Sequence, residues 1–259
     1  ASEPDDASLA RVRWRYKLRT YERFDLNDII NRPHPMFEVL QNSMRPLVLG
    51  MTHDGTASVT VDDPTRGDWG EVERLGITME ELVYHYLWYA EFQYSDNMNP
   101  VKNCNQNVSI IDVANMDFSY LRGDKKRLAS VLAKFFETHS PETNLTTFIV
   151  NTPGWFNWMV WPIVKLLLNK RVLAKINVVP SPKKDKKYKA KLAQLVDIDC
   201  VPKELGGNAD DVWNNKFQRS MHDHAAAVCA KAGVKMLTEE DVLKMRKEIA
   251  AGGESKGKG

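Results

Sequence analysis

The sequence predicts an α/β fold with a mostly parallel sheet, because strand-like and helix-like apolar segments alternate along its middle. Val108–Val113, Thr147–Val150 and Lys175–Val179 are short apolar runs typical of buried strands. Asp124–Thr138 repeats apolar residues at helical spacing between the first two runs, and Trp155–Leu173 separates the last two. Strands that alternate with helices are joined by right-handed crossovers, so we expect these three strands to be parallel.

The N-terminal part is predicted to contain a helix and then a pair of strands. Residues Leu9–Tyr21 are compatible with a helix, and Arg32-Pro-His-Pro35 ends any helix because proline lacks an amide hydrogen. Two short strands, Arg45–Met51 and Ala57–Val61, are predicted on either side of the turn residues His53-Asp-Gly55.

Two further helices flank the parallel strands. Thr78 and Glu81 form a capping box, so a helix is predicted from there to Gln93. A lysine-rich segment after the third strand predicts another helix that ends at Val196.

The C-terminal part is predicted to be helical and polar. Ala209–Ala230 and Glu239–Ala250 are amphipathic, and Gly252–Gly259 is typical of a flexible tail. We therefore expect one main domain over residues 1–207, with a C-terminal helical extension and tail over residues 208–259.

Composition and charge exclude several classes of protein. Apolar residues make up 43% of the 259 residues and charged residues 27%, as in an ordinary globular protein. The formal net charge of +2 is too small to indicate a nucleic-acid partner. No run reaches the ~18 apolar residues of a membrane span, and the N-terminus lacks the pattern of a signal peptide. We therefore expect a soluble, cytoplasmic protein.

The common signatures of metal sites and enzymes are also missing. Cys104, Cys200 and Cys229 are widely spaced and form no CxxC pair, which favours idle thiols over a zinc site or a disulfide. His222 and His224 are two residues apart on a predicted helix, so they point to different faces and are poor candidates for metal ligands. No GxGxxG, GxxxxGKS/T or GxSxG motif is present. We expect a non-enzymatic protein without a catalytic residue, metal or cofactor.

An aromatic segment after the second parallel strand is unusually apolar. Between Trp155 and Leu168 only Asn157 and Lys165 are strongly polar, whereas a surface helix normally keeps a polar face. The segment is either a buried core helix or a helix between a cavity and a membrane, and its tryptophans suit a membrane interface. Pro162 must start or kink a helix, so we expect two short pieces rather than one rod.

A cluster of lysines follows the third parallel strand. Lys183–Lys191 holds six lysines in nine positions, and each could contribute ~1 kcal/mol near an anionic membrane. The four that begin the cluster, Lys183, Lys184, Lys186 and Lys187, are the candidates for this contact. A solvated helix face is the alternative, and nucleic acid is not favoured because few aromatic residues are interleaved.

Four blocks of sequence, in order and at suitable spacing, resemble the CRAL-TRIO domain family. The blocks are Ser109-Ile-Ile-Asp112, Pro141-Glu142 with Phe148-Ile-Val-Asn-Thr-Pro153, Lys175-Ile-Asn-Val-Val179 and Val201-Pro-Lys-Glu-Leu-Gly-Gly207. The resemblance covers most of residues 9–207, although Thr143-Asn-Leu145 replaces the family's Arg-x-Gly. It implies a sheet and helices that form a lipid cavity, with the segment after Asn-x-Pro as its gate.

The resemblance also implies roles for individual residues. Glu142, Lys175 and Arg19 correspond to positions that hold an inositol phosphate, although Thr20 replaces a second basic residue. Ser109 corresponds to a hydroxyl that binds phosphatidylcholine, with Asn107 in place of another hydroxyl. The gate and membrane contact would be formed by Trp155, Phe156, Trp158 and Trp161.

The function that these expectations imply is the binding and intermembrane transfer of a phospholipid. Phosphatidylinositol and phosphatidylcholine are the first candidates for the cargo, and a sterol, tocopherol or retinoid is the alternative. A membrane-recruited regulatory or scaffolding module is the alternative from another class. We expect a cytoplasmic protein with a peripheral membrane contact and no nucleic-acid partner.

Overall fold

The computed structural model describes residues 26–63, 67–93, 95, 106–139, 143–168, 170–210 and 215–255. The strands are β1 (Leu47–Met51), β2 (Ala57–Asp62), β3 (Gln106–Asp112), β4 (Asn144–Val150) and β5 (Ile176–Val179). The α-helices are α1 (Phe37–Met44), α2 (Trp69–Arg74), α3 (Met79–Gln93), α4 (Gly123–His139), α5 (Trp161–Leu167), α6 (Lys170–Lys175), α7 (Lys186–Leu195), α8 (Lys216–Lys231) and α9 (Glu239–Ser255). Short 3-10 helices cover Leu26–Asn31, Phe118–Leu121, Ile198–Cys200 and Lys203–Leu205, and a π-helix covers Phe156–Val160.

The five described strands form one sheet in the order β1-β2-β3-β4-β5. β1 pairs antiparallel with β2, and every later pair is parallel, so the prediction of a mostly parallel sheet is confirmed. Each parallel crossover advances by one strand in the same direction. Right-handed crossovers therefore place their helices on one face of the sheet, which we call the inner face.

The opposite face, which we call the outer face, carries an apolar core. Val59, Ile110 and Phe148 alternate with inner-face residues and pack against Tyr188 and Leu192 of α7. The Tyr188 hydroxyl donates to the carbonyl oxygen of Leu205 at 2.9 Å, which joins α7 to the segment that follows it. This buried layer packs against the outer face and holds the sheet in place.

The Gly-Gly pair that ends the last sequence block belongs to this outer layer. Gly206 has a φ of 89°, in the left-handed region that favours glycine. A Cβ atom on Gly207 would clash with the backbone of Val201. Gly206 therefore allows a tight turn, and Gly207 allows the two backbone segments to approach each other closely at Val201.

The C-terminal helices pack onto the main domain. Met221 and Ala225 of α8 are buried in one cluster with Phe37 and Trp88, and Val242 of α9 is buried in a neighbouring cluster. A part-buried ion pair joins Arg246 of α9 to Glu81 in the first turn of α3, with the shorter N–O distance at 2.6 Å. The described part of residues 208–259 thus shares its core with α1 and α3.

Two predicted C-terminal boundaries are wrong. The helix expected from Ala209 begins at Lys216, because Ala209 bridges to Pro202 and the Asn215 side chain accepts from Phe217 N at 2.8 Å. The tail expected from Gly252 is helical as far as Ser255, where α9 ends.

Among the described residues, no helix combines the length and the apolar character that a membrane span requires.

The capping box predicted ahead of α3 is present. Thr78 N donates to Glu81 Oε2 at 2.8 Å, and Glu81 N donates to Thr78 Oγ1 at 3.2 Å. Because Arg246 bonds the same carboxylate, this helix start also holds α9.

Candidate functional site

The inner face of the sheet is polar on one side and apolar on the other. By strand register and alternation its side chains are Ser58, Thr60, Asp62, Asn107, Ser109, Ile111, Thr147, Ile149, Ile176 and Val178. The polar side chains of β2 and β3 form what we call the polar strip: Ser58, Thr60, Asp62, Asn107 and Ser109. The apolar members lie toward β4 and β5.

The inner face of β3 is less covered than its outer face. Val108 and Ile110, which point to the outer face, have no exposed surface. Asn107, Ser109 and Ile111, which alternate with them, are partly exposed although helices cross this side. The spacing of sheet and helices therefore leaves accessible surface along the middle of β3.

Hydrogen bonds hold the polar strip in place. Ser58 Oγ donates to Gln93 Oε1 at the end of α3 at 3.2 Å, and Asn107 Nδ2 donates to Thr60 Oγ1 at 3.0 Å. Ser109 Oγ donates to Asp62 Oδ2 at 3.1 Å. Asn107 and Ser109, two predicted ligand residues, are thus oriented by polar partners on β2.

Asp62 is the acidic member of the strip. Burial raises its pKa to about 6, while the hydrogen bond from Ser109 acts in the opposite direction. Burial also raises the pKa of Tyr86 on α3, and the charges of Asp62 and Asp63 add to that rise. The carboxyl group therefore lies within electrostatic range of α3, on the side where the crossover helices pass.

Asp62 is not among the site residues predicted from the sequence. A signal for it was present, because Ser58, Thr60 and Asp62 occupy alternate positions of a strand whose other residues are apolar. Polar residues at every second position mark one face of a strand. That this face points inward depends on the crossovers, which the alternation alone does not specify.

The apolar half of the inner face lies under the aromatic segment. Phe156 is buried with Val113 and Ile149, and Val160 and Trp161 pack partly buried against the same cluster. Phe156, which is only 3% exposed, is therefore too deeply buried for the predicted membrane contact in this conformation. The segment covers the β4 and β5 side of the face.

The outward side of the aromatic segment is exposed. Trp158 is 66% exposed, Ile163 51% and Leu166 86%. Trp155 stacks on Phe118, with ring centroids 4.8 Å apart. The expected break is present, but the segment divides into three pieces and not two: the π-helix, α5 and α6. Pro162 lies in the first turn of α5, where proline is tolerated. One side of the segment faces the sheet and the other faces the surroundings, as a gate would require.

Lys175 lies at the amino end of the parallel strands. It is the last residue of α6 and not the first residue of a strand as predicted, because β5 begins at Ile176 after the last helical turn. Its Nζ donates to the carbonyl oxygen of Asn144, the first residue of β4, at 2.6 Å. Arg19 and Glu142, its predicted partners around an inositol phosphate, lie outside the described residues. Their convergence on Lys175 stays a prediction.

The predicted basic cluster lies at the start of α7. Lys183, Lys184, Lys186 and Lys187 are all exposed. Asp185 caps the helix, accepting from Lys187 N at 2.9 Å and Tyr188 N at 3.0 Å. The cap fixes the turn that carries the first two lysines, and the membrane role of the cluster stays a prediction.

His222 and His224, which the sequence marks as poor candidates for metal ligands, have neighbours of other kinds. His224 Nε2 lies 2.9 Å from the carbonyl oxygen of Ile30, and His222 is exposed beside Asp223. In the part of the chain that the structure describes, no group of three or more His, Cys, Asp and Glu side chains could hold a metal ion.

Comparison with known families gives a match over much of this fold. The family model described as the CRAL/TRIO domain matches residues 69–207, which is more than half of the chain. The match begins at α2 and ends at the Gly-Gly turn, so it includes β3 to β5, the aromatic segment and the lysine cluster.

Several curated proteins of Arabidopsis thaliana are similar to this chain. Phosphatidylinositol/phosphatidylcholine transfer protein SFH12 is 29% identical over 167 residues, which are 58% of this chain and 29% of SFH12. Phosphatidylinositol/phosphatidylcholine transfer protein SFH9 is 26% identical over 152 residues, 53% of this chain and 25% of SFH9. The chain thus spans less than a third of the length of these relatives.

A solved structure shows the same fold. The crystal structure of Sfh5 matches with a TM-score of 0.55 and 15% sequence identity, over 83% of this chain and 72% of that chain. At 15% sequence identity, this similarity shows a shared fold only.

Proposed function

The chain belongs to the CRAL/TRIO domain family, and from this membership we propose that it binds one phospholipid and transfers it between membranes without catalysis. Phosphatidylinositol and phosphatidylcholine are the preferred cargoes. This choice is supported by the similarity to SFH12 and SFH9, which are named as transfer proteins for those two lipids.

The single observation that carries the proposal is the two-sided inner face. A phospholipid has a polar headgroup and apolar chains, and the face has a polar strip beside apolar residues such as Ile149 and Val178. Each methylene group withdrawn from water contributes about 0.8 kcal/mol, so chains bound along the apolar half would be well retained. Headgroup atoms would then meet Ser109 and Asn107.

The polar strip favours a phospholipid over a wholly apolar cargo. A sterol, tocopherol or retinoid would suit the apolar half, but it would place hydrocarbon against the partly exposed Asp62, Asn107 and Ser109. Polar groups that face hydrocarbon lose their hydrogen bonds to water, which is unfavourable by about 1–3 kcal/mol per group in proteins. A phospholipid headgroup can replace the water at these groups.

Membrane contact in this proposal is peripheral and cytoplasmic. Trp158 and Leu166 expose apolar surface beside the gate, and the lysine cluster exposes positive charge. Together these groups suit the interface of an anionic membrane. A scaffolding role would use the same contact but would not move lipid.

The test is lipid transfer, with the cargo identified by mass spectrometry of lipid extracted from the purified protein. We expect fluorescent phospholipid to move from donor to acceptor vesicles in proportion to protein concentration. Ile149→Trp, which fills the apolar half, should abolish loading, whereas Val131→Trp on the exposed face of α4 should not. A folded protein that holds no lipid and transfers none would overturn the proposal.

Lys175 gives a sharper version of this test. Lys175→Ala removes a donor to phosphate, so phosphatidylinositol loading should fall more than about tenfold, equivalent to 1.5–3 kcal/mol. Phosphatidylcholine loading should change little, because Ser109 is on β3 and not at the end of α6. Equal losses for both lipids would mean that Lys175 supports the fold through its bond to Asn144.

A further inference from the structure

We propose that Asp62 is the counter-charge for a cationic headgroup, so that the site prefers a phospholipid whose phosphate ester carries an ammonium group. This inference rests on the proposed function and names the class of cargo. Phosphatidylcholine and phosphatidylethanolamine have such a headgroup, whereas phosphatidylinositol and phosphatidic acid do not.

Asp62 lies where the two halves of the inner face meet. It is the last residue of β2 and is paired in register with Ile111 of β3, the first apolar residue of the face. Its carboxylate accepts from Ser109 on the polar side. A lipid with its chains on the apolar half would therefore bring its headgroup to this carboxylate.

The carboxylate has no opposite charge in the described structure. Among the described residues its hydrogen-bond partner is the Ser109 hydroxyl, and no lysine, arginine or histidine pairs with it. Asp62 is only partly exposed, and carboxylates that are partly withdrawn from water are commonly paired with a cation. A quaternary or primary ammonium group of a ligand would supply that missing charge.

The hydrogen bond to Ser109 points to the same ligand class. Because the Ser109 proton is donated to Asp62, that hydroxyl presents lone pairs and not a donor to an approaching phosphate. On α3, Tyr86 lies close enough for the charge of Asp62 to raise the pKa of its phenol, and a phenol carries no positive charge that could neutralise the carboxylate. This side of the strip therefore attracts a cation and repels an anion.

The experiment is competitive loading from vesicles that contain equal amounts of phosphatidylcholine and phosphatidylinositol, followed by mass spectrometry of the extracted lipid. Asp62→Asn removes the charge and keeps an oxygen that accepts from Ser109. We expect the ratio of phosphatidylcholine to phosphatidylinositol to fall at least about tenfold in this variant. Asp124→Asn, which removes an exposed carboxylate in the first turn of α4, should leave the ratio unchanged.

A second measurement needs no variant. The wild-type protein should load phosphatidylcholine at least about tenfold better than phosphatidic acid, which has the same chains and phosphate but no ammonium group. Equal loading of these two lipids would overturn the inference even if Asp62→Asn failed to fold.

The remaining outcomes separate this inference from the proposed function. An unchanged lipid ratio in a folded Asp62→Asn variant, with lipid still bound, would overturn the role of Asp62 alone. A wild-type protein that loads no phospholipid would overturn the proposed function, and the inference with it.

Discussion

Asn151 donates its side-chain amide to Oδ1 of Asp112 at 3.0 Å, and this bond ties the carboxyl end of β4 to that of β3. The backbone N–H of Asn151 also donates to the carbonyl oxygen of Val179 at the end of β5, at 3.0 Å. Asn151 has a φ of 54°, in the left-handed region that asparagine tolerates better than most residues. One residue therefore fixes three strands just before the chain enters the aromatic segment.

Two substitutions at Asn151 should separate the hydrogen bond from the backbone conformation. Asn151→Gly removes the bond to Asp112 and should lower the free energy of unfolding by about 1.5–3 kcal/mol. Asn151→Ala removes the same bond and also disfavours the left-handed conformation, so it should cost about 1–2 kcal/mol more. Urea unfolding measures both values, and equal stability of the two variants would contradict the role of the positive φ.

A buried histidine pair makes the stability of the fold dependent on pH. His34 Nε2 lies 3.1 Å from His85 Nδ1, and His85 Nε2 lies 3.2 Å from Gln41 Oε1. Burial lowers the pKa of His34 to about 3. Burial and the neighbouring His34 lower the pKa of His85 well below its usual value. Both rings are therefore neutral in the folded protein at neutral and mildly acidic pH.

We expect the free energy of unfolding to fall as the pH drops below about 6.5, the pKa of histidine in the unfolded chain. Below that pH the unfolded state gains protons that the folded state excludes, at up to about 1.4 kcal/mol per pH unit and histidine. Urea titrations at pH 7.5 and 5.5 measure the slope. His34→Gln keeps a donor to His85 and should flatten the slope, whereas His222→Gln, at an exposed histidine, should not.

Asp62 should change the pH dependence of the free energy of unfolding in the direction opposite to the histidine pair. Its folded-state pKa of about 6 lies above its usual value of 3.8, so the folded state binds more protons than the unfolded state between these values. The cost of its ionised form is therefore absent below the lower value and complete above about pH 6. At pH 7.5 Asp62→Asn should be more stable than wild type by about 1–3 kcal/mol, and at about pH 3 the difference should vanish. A less stable variant at pH 7.5 would mean that the ionised carboxylate has a stabilising partner.

Local patterns predicted the framework of the fold because strands, turns and caps depend on neighbours in sequence. The capping box at Thr78 and the strand at Val108 are examples, since side-chain spacing alone specifies them. Asp62 was not predicted because its place on the inner face depends on the register of β2 with β3 and on which face the crossovers cover. The short helices α1 and α2 escaped prediction as well, since tertiary packing outweighs propensity in pieces of this length.

The lysine cluster gives a prediction about membrane binding. Reversing Lys183, Lys184, Lys186 and Lys187 to Glu should weaken binding to anionic vesicles by about 1,000-fold or more at low salt, since each lysine contributes ~1 kcal/mol. The effect should shrink as salt rises, because exposed charges are screened over ~10 Å at 0.1 M. Vesicle sedimentation measures it, with reversal of the exposed Lys231, Lys244 and Lys247 on α8 and α9 as the control. Equal losses of vesicle binding for both sets would indicate that the net charge of the protein, and not the lysine cluster, determines binding.

The two sides of the aromatic segment should respond differently to the same substitution. Trp158→Asp changes a side chain that is 66% exposed, so the melting temperature should stay within a few degrees of wild type. Transfer should nevertheless slow by about tenfold or more, because a carboxylate opposes insertion into the membrane interface. Trp158→Phe keeps an apolar ring and should restore most of the transfer rate.

Trp161→Asp changes a side chain that packs against the apolar cluster under the segment, with Phe156 and Ile149. A carboxylate there would lose apolar contacts and face hydrocarbon, so we expect a loss of about 2–4 kcal/mol in the free energy of unfolding. Thermal melting and vesicle transfer, measured on both variants, separate the two roles. A Trp158→Asp variant that melts as early as Trp161→Asp would show that the segment is core on both sides. An intact transfer rate in a folded Trp158→Asp variant would show that the exposed side does not enter the membrane.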